Sequence, residues 1–152
     1  LIIILIFLCY LKIFTFLTLT EVLGNKSFLY IIICTCIFSD IGGYVVGKSF
    51  KGKKLTKISP NKTYSGMIGS YFFSLLFVVI IFDGYMNVEK LFFLIIITST
   101  VSQIGDIFIS FLKRKSKLKD ASSLLPGHGG LLDRFDGLIF AIPISSIFFN
   151  II

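Results

Sequence analysis

Charge is scarce in this chain. Asp, Glu, Lys and Arg make up 15% of its 152 residues, hydrophobic types make up 55%, and Phe alone occurs 18 times. A soluble domain of this length has no interior able to hide so much apolar surface, so a water-soluble globule is excluded and the apolar residues belong in lipid. They come in runs, not on a single helical stripe. Cysteine is sparse as well: Cys9, Cys34 and Cys36 all fall inside apolar runs, the last two on different sides of a helix. That pattern suits neither a zinc site nor a disulfide framework and leaves them as packing residues. No internal repeat or low-complexity tract is present, and the longer connections carry Gly, Pro and Ser where turns need them. The expectation is one membrane-embedded domain over residues 1–152.

What is present reads as spans of about 20 residues. Five stretches qualify: Leu1 to about Thr20, Phe28 to Gly47, Gly66 to Phe82, Lys90 to Leu112, and Phe135 to Ile152. The first lacks a basic leader and a small-residue cleavage site, so it reads as a span, not a signal peptide. The fold class expected is therefore all-α, a polytopic transmembrane helical bundle of about five spans. The chain opens on Leu1 with no initiator Met, which reads as an N-terminally truncated piece.

The net charge of +7 is concentrated. Of 15 Lys and Arg, six lie between Lys48 and Lys62 and six between Lys113 and Arg134. Basic loops of this kind suit nucleic acid, anionic lipid headgroups or a polyphosphate, and the membrane setting favours the last two over nucleic acid. The connection from Asp83 to Glu89 is acidic, so loop charge alternates with each crossing. The positive-inside rule then makes 48–65 and 113–134 cytoplasmic loops, with the N-terminus inside and the C-terminus outside.

Acids inside a membrane span are expensive and face a protein interior or a wet cavity, which singles out Asp40 and Asp106. Asp106 belongs to a stripe: Ser99, Ser102, Gln103, Asp106, Ser110 and Lys113 recur at spacings of three or four on one helical face. Such a stripe lines a water-filled groove or makes a polar helix contact. Around Asp40, Ser39, Gly43, Tyr44 and Gly47 repeat the spacing, and Gly43 with Gly47 permits a close helix approach that can bring Asp40 towards the Asp106 stripe, or support a homodimer. Gly66, Gly69, Ser70 and Ser74 in the next span read as packing.

The segment from Ser110 to Asp136, SFLKRKSKLKDASSLLPGHGGLLDRFD, joins a basic cluster, a Gly-rich turn around the single His, and two acids in a D-R-x-D arrangement. Carboxylates hold a divalent metal, Lys and Arg neutralise polyphosphate, and glycines let the backbone approach phosphate oxygens. The order Ser110, Lys113-Arg114, Lys119-Asp120, Pro126-Gly127-His128-Gly129-Gly130, then Asp133-Arg134 and Asp136 closely resembles the signature of phosphatidate cytidylyltransferases, also called CDP-diacylglycerol synthases. Upstream, Gln103 to Asp106 is similar to the family's Q-x-G-D, Asp40 to Gly47 to its D-x-x-x-Y-x-x-G, and Ile58 to Gly66 to its I-S-P-K-K-T-x-E-G. The chain departs at Asn61, where Lys is usual, and at Ser65, where Glu is usual. Loss of that carboxylate is expected to weaken nucleotide or metal handling.

The resemblance implies a bacterial inner-membrane, multi-pass enzyme that joins CTP to phosphatidic acid at the cytoplasmic face, giving CDP-diacylglycerol and pyrophosphate. It implies Mg2+, with a second cation allowed, and makes Asp106, Asp133 and Asp136 the metal ligands, Asp136 directly or in support. Asp106, Lys113 and Asp133 form the implied catalytic set. Ser110, Arg114, Lys119, His128, Gly129, Gly130 and Arg134 are the implied substrate contacts, joined by Lys53 and Lys62 of the other basic loop. His128 is assigned to base or phosphate, with loop capping as the alternative, and Asp40 to orienting a Lys from a neighbouring helix. Other readings are a CTP-dependent polyprenol kinase, an archaeol-type cytidylyltransferase, or a transport or structural membrane protein.

Overall fold

The structure is a computed structural model that describes residues 26–56, 59, 62–115 and 132–151. Among them it is all-helical: α1 (Lys26–Phe50), α2 (Tyr64–Ile81), α3 (Val88–Lys115) and α4 (Leu132–Ile151). Three of these helices, α1 to α3, are long and apolar enough to cross a membrane. In α4 the apolar stretch is shorter, Gly137–Phe149. The span expected over Leu1 to Thr20 lies outside the described residues. The helices α1 and α3 run past their apolar stretches into basic residues, so Lys48, Lys113 and Arg114 sit on last turns. Long basic side chains allow this, because their stems cover apolar surface while the charged heads reach water.

The polarity is inside out relative to a soluble bundle. Tyr30, Ile37, Ile68, Phe72, Ile80, Phe92 and Phe93 are exposed, whereas Thr35, Ser39, Ser74, Thr98, Ser99 and Ser145 are fully buried. In lipid, apolar contact alone gives no reason for helices to associate, so small residues and interhelical hydrogen bonds hold them. Ser39 and Ser99 share a hydrogen bond of 2.9 Å between α1 and α3, and Thr98 and Ser145 one of 2.8 Å between α3 and α4. Tyr71 and Thr100 link α2 to α3 at 2.9 Å. Cys36 is buried and Cys34 half-buried, both unpaired, in keeping with packing roles.

The closest seam lies between α1 and α2. A Cβ on Gly42 would strike the Gly69 carbonyl and the Phe73 side chain, and one on Gly69 would strike Val46. Gly43 faces Ser70, and Gly47 faces Thr63 and Gly66. The Gly43–Gly47 spacing is thus filled within the chain, and Gly66, Gly69, Ser70 and Ser74 are buried by this packing.

At the far end of the bundle Phe28 of α1 meets Phe149 of α4, ring centroids 4.3 Å apart. At the near end Lys62 reaches α3, and the start of α4 packs on the same part of α3. α1 closes with Lys51 in the left-handed region (φ 41°), its N–H donating to the Gly47 carbonyl at 3.2 Å. A strap then returns to α2 through an isolated antiparallel bridge between Lys54 and Thr63.

Candidate active site

A cavity of about 190 Å³ opens near the basic end, between α1, α2, α3 and the strap. Asp40 and Tyr44 come from α1, Met67 and Ser70 from α2, Gln103 and Asp106 from α3, and Lys62 from the strap. Lys62 Nζ lies 2.9 Å from Asp106 Oδ2, with both side chains somewhat under one-third exposed. Asp40 and Asp106, separated by an entire helix in sequence, therefore share one pocket. Asp106 stands eight residues before Arg114, about 12 Å below the basic end of α3 at the helical rise.

The polar stripe on α3 divides into two halves. In its far half, Ser99 bonds Ser39 and accepts from Gln103 Nε2 at 3.3 Å, so the stripe there is a polar helix contact. In its near half, Gln103 and Asp106 face the cavity, so the stripe there lines a groove. Both readings of the pattern hold, each over part of the helix. Ser102, between them, is buried beneath α4.

That burial places the start of α4. A Cβ on Gly137 would collide with Ser102 Oγ and lie 3.1 Å from Asp106 Oδ1, so only a glycine lets α4 come this close to the carboxylate. Phe140, one turn on, covers Gly105 in the same way. Asp136 directly precedes Gly137 in α4, and Asp133 precedes it by four residues, about one turn. The backbone therefore brings the D-R-x-D turn up to Asp106, while the side chains of Asp133, Arg134 and Asp136 lie outside the described residues.

The other expected residues fall as follows. Ser110, Lys113 and Arg114 stand on the last turns of α3 above Asp106. Lys53 is exposed on the strap, its carbonyl accepting the Tyr64 N–H at 3.0 Å. Lys119, His128, Gly129 and Gly130 lie outside the described residues. Asp40 was expected to orient a lysine from a neighbouring helix; the lysine in its cavity, Lys62, comes instead from the strap, and its direct partner is Asp106. Lys48 instead donates to Tyr44 OH at 3.2 Å, its Nζ 5.4 Å from the ring centre.

Sequence reading passed over Thr63, Met67 and Leu55 as cavity lining. Thr63 had a legible signal, a Thr just ahead of an apolar run. It is the N-cap of α2, its Oγ1 accepting the Gly66 N–H at 3.1 Å. Ser65 proves not to line the cavity: its hydroxyl engages Gly52 and Thr63. Among the described residues no three His, Cys, Asp or Glu side chains gather as a metal cluster. The donors that do face the cavity, Asp40, Asp106 and the Gln103 amide, offer oxygen atoms, the type that hard divalent cations select.

The model of the cytidylyltransferase family matches residues 1–152. The chain is 37% identical over 138 residues to the phosphatidate cytidylyltransferase of Rickettsia typhi, covering 84% of this chain and 59% of that protein. It is 40% identical over 119 residues to the protein of that name in Haemophilus influenzae, covering 73% of this chain and 41% of the other. The Staphylococcus aureus (strain COL) protein of the same name is 43% identical over 113 residues, covering 72% and 44%. The chain thus spans from about two-fifths to three-fifths of the length of these relatives.

Proposed function

The chain belongs to the cytidylyltransferase family, and on that premise we propose that it transfers the cytidylyl group of CTP to phosphatidic acid, releasing pyrophosphate. A phosphate oxygen of phosphatidic acid attacks the α-phosphorus of CTP; the new P–O bond forms as the bond to the β-phosphate oxygen breaks. No covalent intermediate with the protein is required, so its work is positioning and charge neutralisation. The observation that supports this best is the Lys62–Asp106 pair in a polar cavity cut into apolar helices. It puts a cation for phosphate and a carboxylate for metal at one point, within reach of a membrane-anchored substrate.

In this reading Asp106, with Asp133 and Asp136 from the adjoining turn of α4, holds Mg2+, and the oxygen donor set of the cavity fits such an ion. When bound, the ion supplies charge stabilisation at the phosphoryl oxygens and the departing pyrophosphate. Lys62, Lys113 and Arg114 neutralise the triphosphate or the lipid phosphate, and Ser110 donates to a phosphate oxygen one turn beyond Asp106. Lys53, Lys119, Arg134 and the His128-Gly129-Gly130 turn complete the nucleotide contacts.

The site opens to the cytoplasm in a multi-pass protein of a bacterial inner membrane, placing aqueous CTP and anchored lipid at the same boundary. A homodimer would use a face other than Gly43 and Gly47, which already pack on α2. The test is magnesium-dependent incorporation of labelled CTP into a lipid extract. Asp106→Asn and Asp133→Asn are expected to lower it at least about 100-fold. Equal incorporation by Asp133→Asn and the unaltered chain would remove the assignment. Offering polyprenol and archaeal ether lipids beside phosphatidic acid separates the acceptor classes.

A further inference from the structure

One hydroxyl ties the strap to the helix it feeds. Ser65 Oγ accepts the Gly52 N–H at 3.3 Å and shares a hydrogen bond of 3.1 Å with Thr63 Oγ1, which itself caps Gly66 at 3.1 Å. The start of the strap, its end and the first turn of α2 therefore meet at a single point. The fit is close, since a Cβ on Gly52 would lie 2.9 Å from Ser65 Oγ. Beside it the backbone closes: Tyr64 N–H donates to the Lys53 carbonyl at 3.0 Å, and Leu55 N–H to the Lys62 carbonyl at 2.7 Å. Lys62 leaves this closed frame with its ammonium 2.9 Å from Asp106. A partly exposed ion pair is too weak to order a loop by itself. The frame must therefore present the lysine, and not the lysine the frame.

We propose that Ser65 is a positioning residue: by latching Gly52 to the first turn of α2, it holds the strap in the register that sets Lys62 on Asp106. The functional consequence rests on the cavity being the cytidylyl-transfer site; the latch itself does not. Ser65 stands where the resembling family usually has Glu, and its hydroxyl serves strap closure instead of lining the cavity.

The test uses the full chain in lipid nanodiscs, with acylation of Lys62 followed by mass spectrometry and amide exchange of Gly52. Ser65→Ala is expected to speed both by about five- to ten-fold, the ratio that loss of one net hydrogen bond gives. Ser65→Thr, which keeps the hydroxyl, should restore both rates. Gly52→Ala should expose Lys62 with Ser65 intact, by pushing the latch apart. Asp106→Asn should free Lys62 while leaving Gly52 exchange at its original rate, which separates the latch from the ion pair. The latch is overturned if Lys62 acylation in both Ser65→Ala and Gly52→Ala stays within about two-fold of the unaltered chain. These rates need no turnover, so a chain that fails to transfer cytidylyl groups would sink the functional reading and leave the latch standing. With CTP and phosphatidic acid, Ser65→Ala should raise KM for CTP more than it lowers kcat.

Discussion

Lys62 and Asp106, the pair proposed to serve the transfer, need supply little stability. Both side chains are somewhat under one-third exposed, and pairs of this kind contribute at most about 1 kcal/mol. Lys62→Met should therefore leave the melting temperature in detergent nearly unchanged while lowering CTP incorporation about 100-fold, the scale set by loss of one preorganised charge contact. A large drop in melting temperature would instead make the pair structural. Gly137 is the opposite case. Its Cα hydrogen faces Ser102 and Asp106 with no space for a methyl group, so Gly137→Ala is expected to destabilise the chain by about 1–3 kcal/mol through overpacking. The same substitution displaces the start of α4 from Asp106, so activity should fall further than stability. Thermal unfolding and turnover on one preparation check both expectations.

Among the elements, the turn after α1 and the cap of α2 carry opposite local energies. Lys51 adopts φ 41° at a helix end where glycine is the usual residue. The left-handed conformation is unfavourable by about 1–2 kcal/mol for a residue with a Cβ. Lys51→Gly should recover part of that and raise the unfolding temperature, and a fall would show that the lysine side chain supports the turn. Thr63→Ala removes the acceptor of the Gly66 N–H and should lower stability by about 1 kcal/mol. The α1–α2 seam tolerates less. Gly69→Val meets Val46 and the Gly42 carbonyl, and separating the two helices would widen the cavity whose walls they form.

For the molecule as a whole, Lys62 and the basic last turn of α3 lie at one end of the described bundle, with the Asp83 to Asn87 turn at the other. With Ser49→Cys and Asp83→Cys made separately, a membrane-impermeant thiol reagent should label the first from the cytoplasmic side only and the second from the opposite side only. Labelling of both from one side would contradict the positive-inside orientation. Helical class, the positions of α1 to α3 and the presence of an acid in the polar faces of α1 and α3 were all legible in the linear sequence. Each is a property of composition and spacing along a single helix, and in lipid those properties act locally. The signature around Asp106 and the D-R-x-D turn is likewise a pattern of residues along the chain, and its resemblance to that of phosphatidate cytidylyltransferases needs no geometry. The partner of Asp106 was not legible, because Lys62 and Lys53 have similar loop surroundings and only the strap's bridge to Thr63 aims one of them inward. Nor could spacing decide where the α3 stripe stops being helix contact and becomes cavity wall. Ser99 and Asp106 lie on one face of one helix, and what differs is which neighbour, Ser39 or Lys62, arrives opposite each. The chain order thus determined which side chains were available in the membrane, and tertiary packing through small residues decided which of them met, because close approach depends on two surfaces at once.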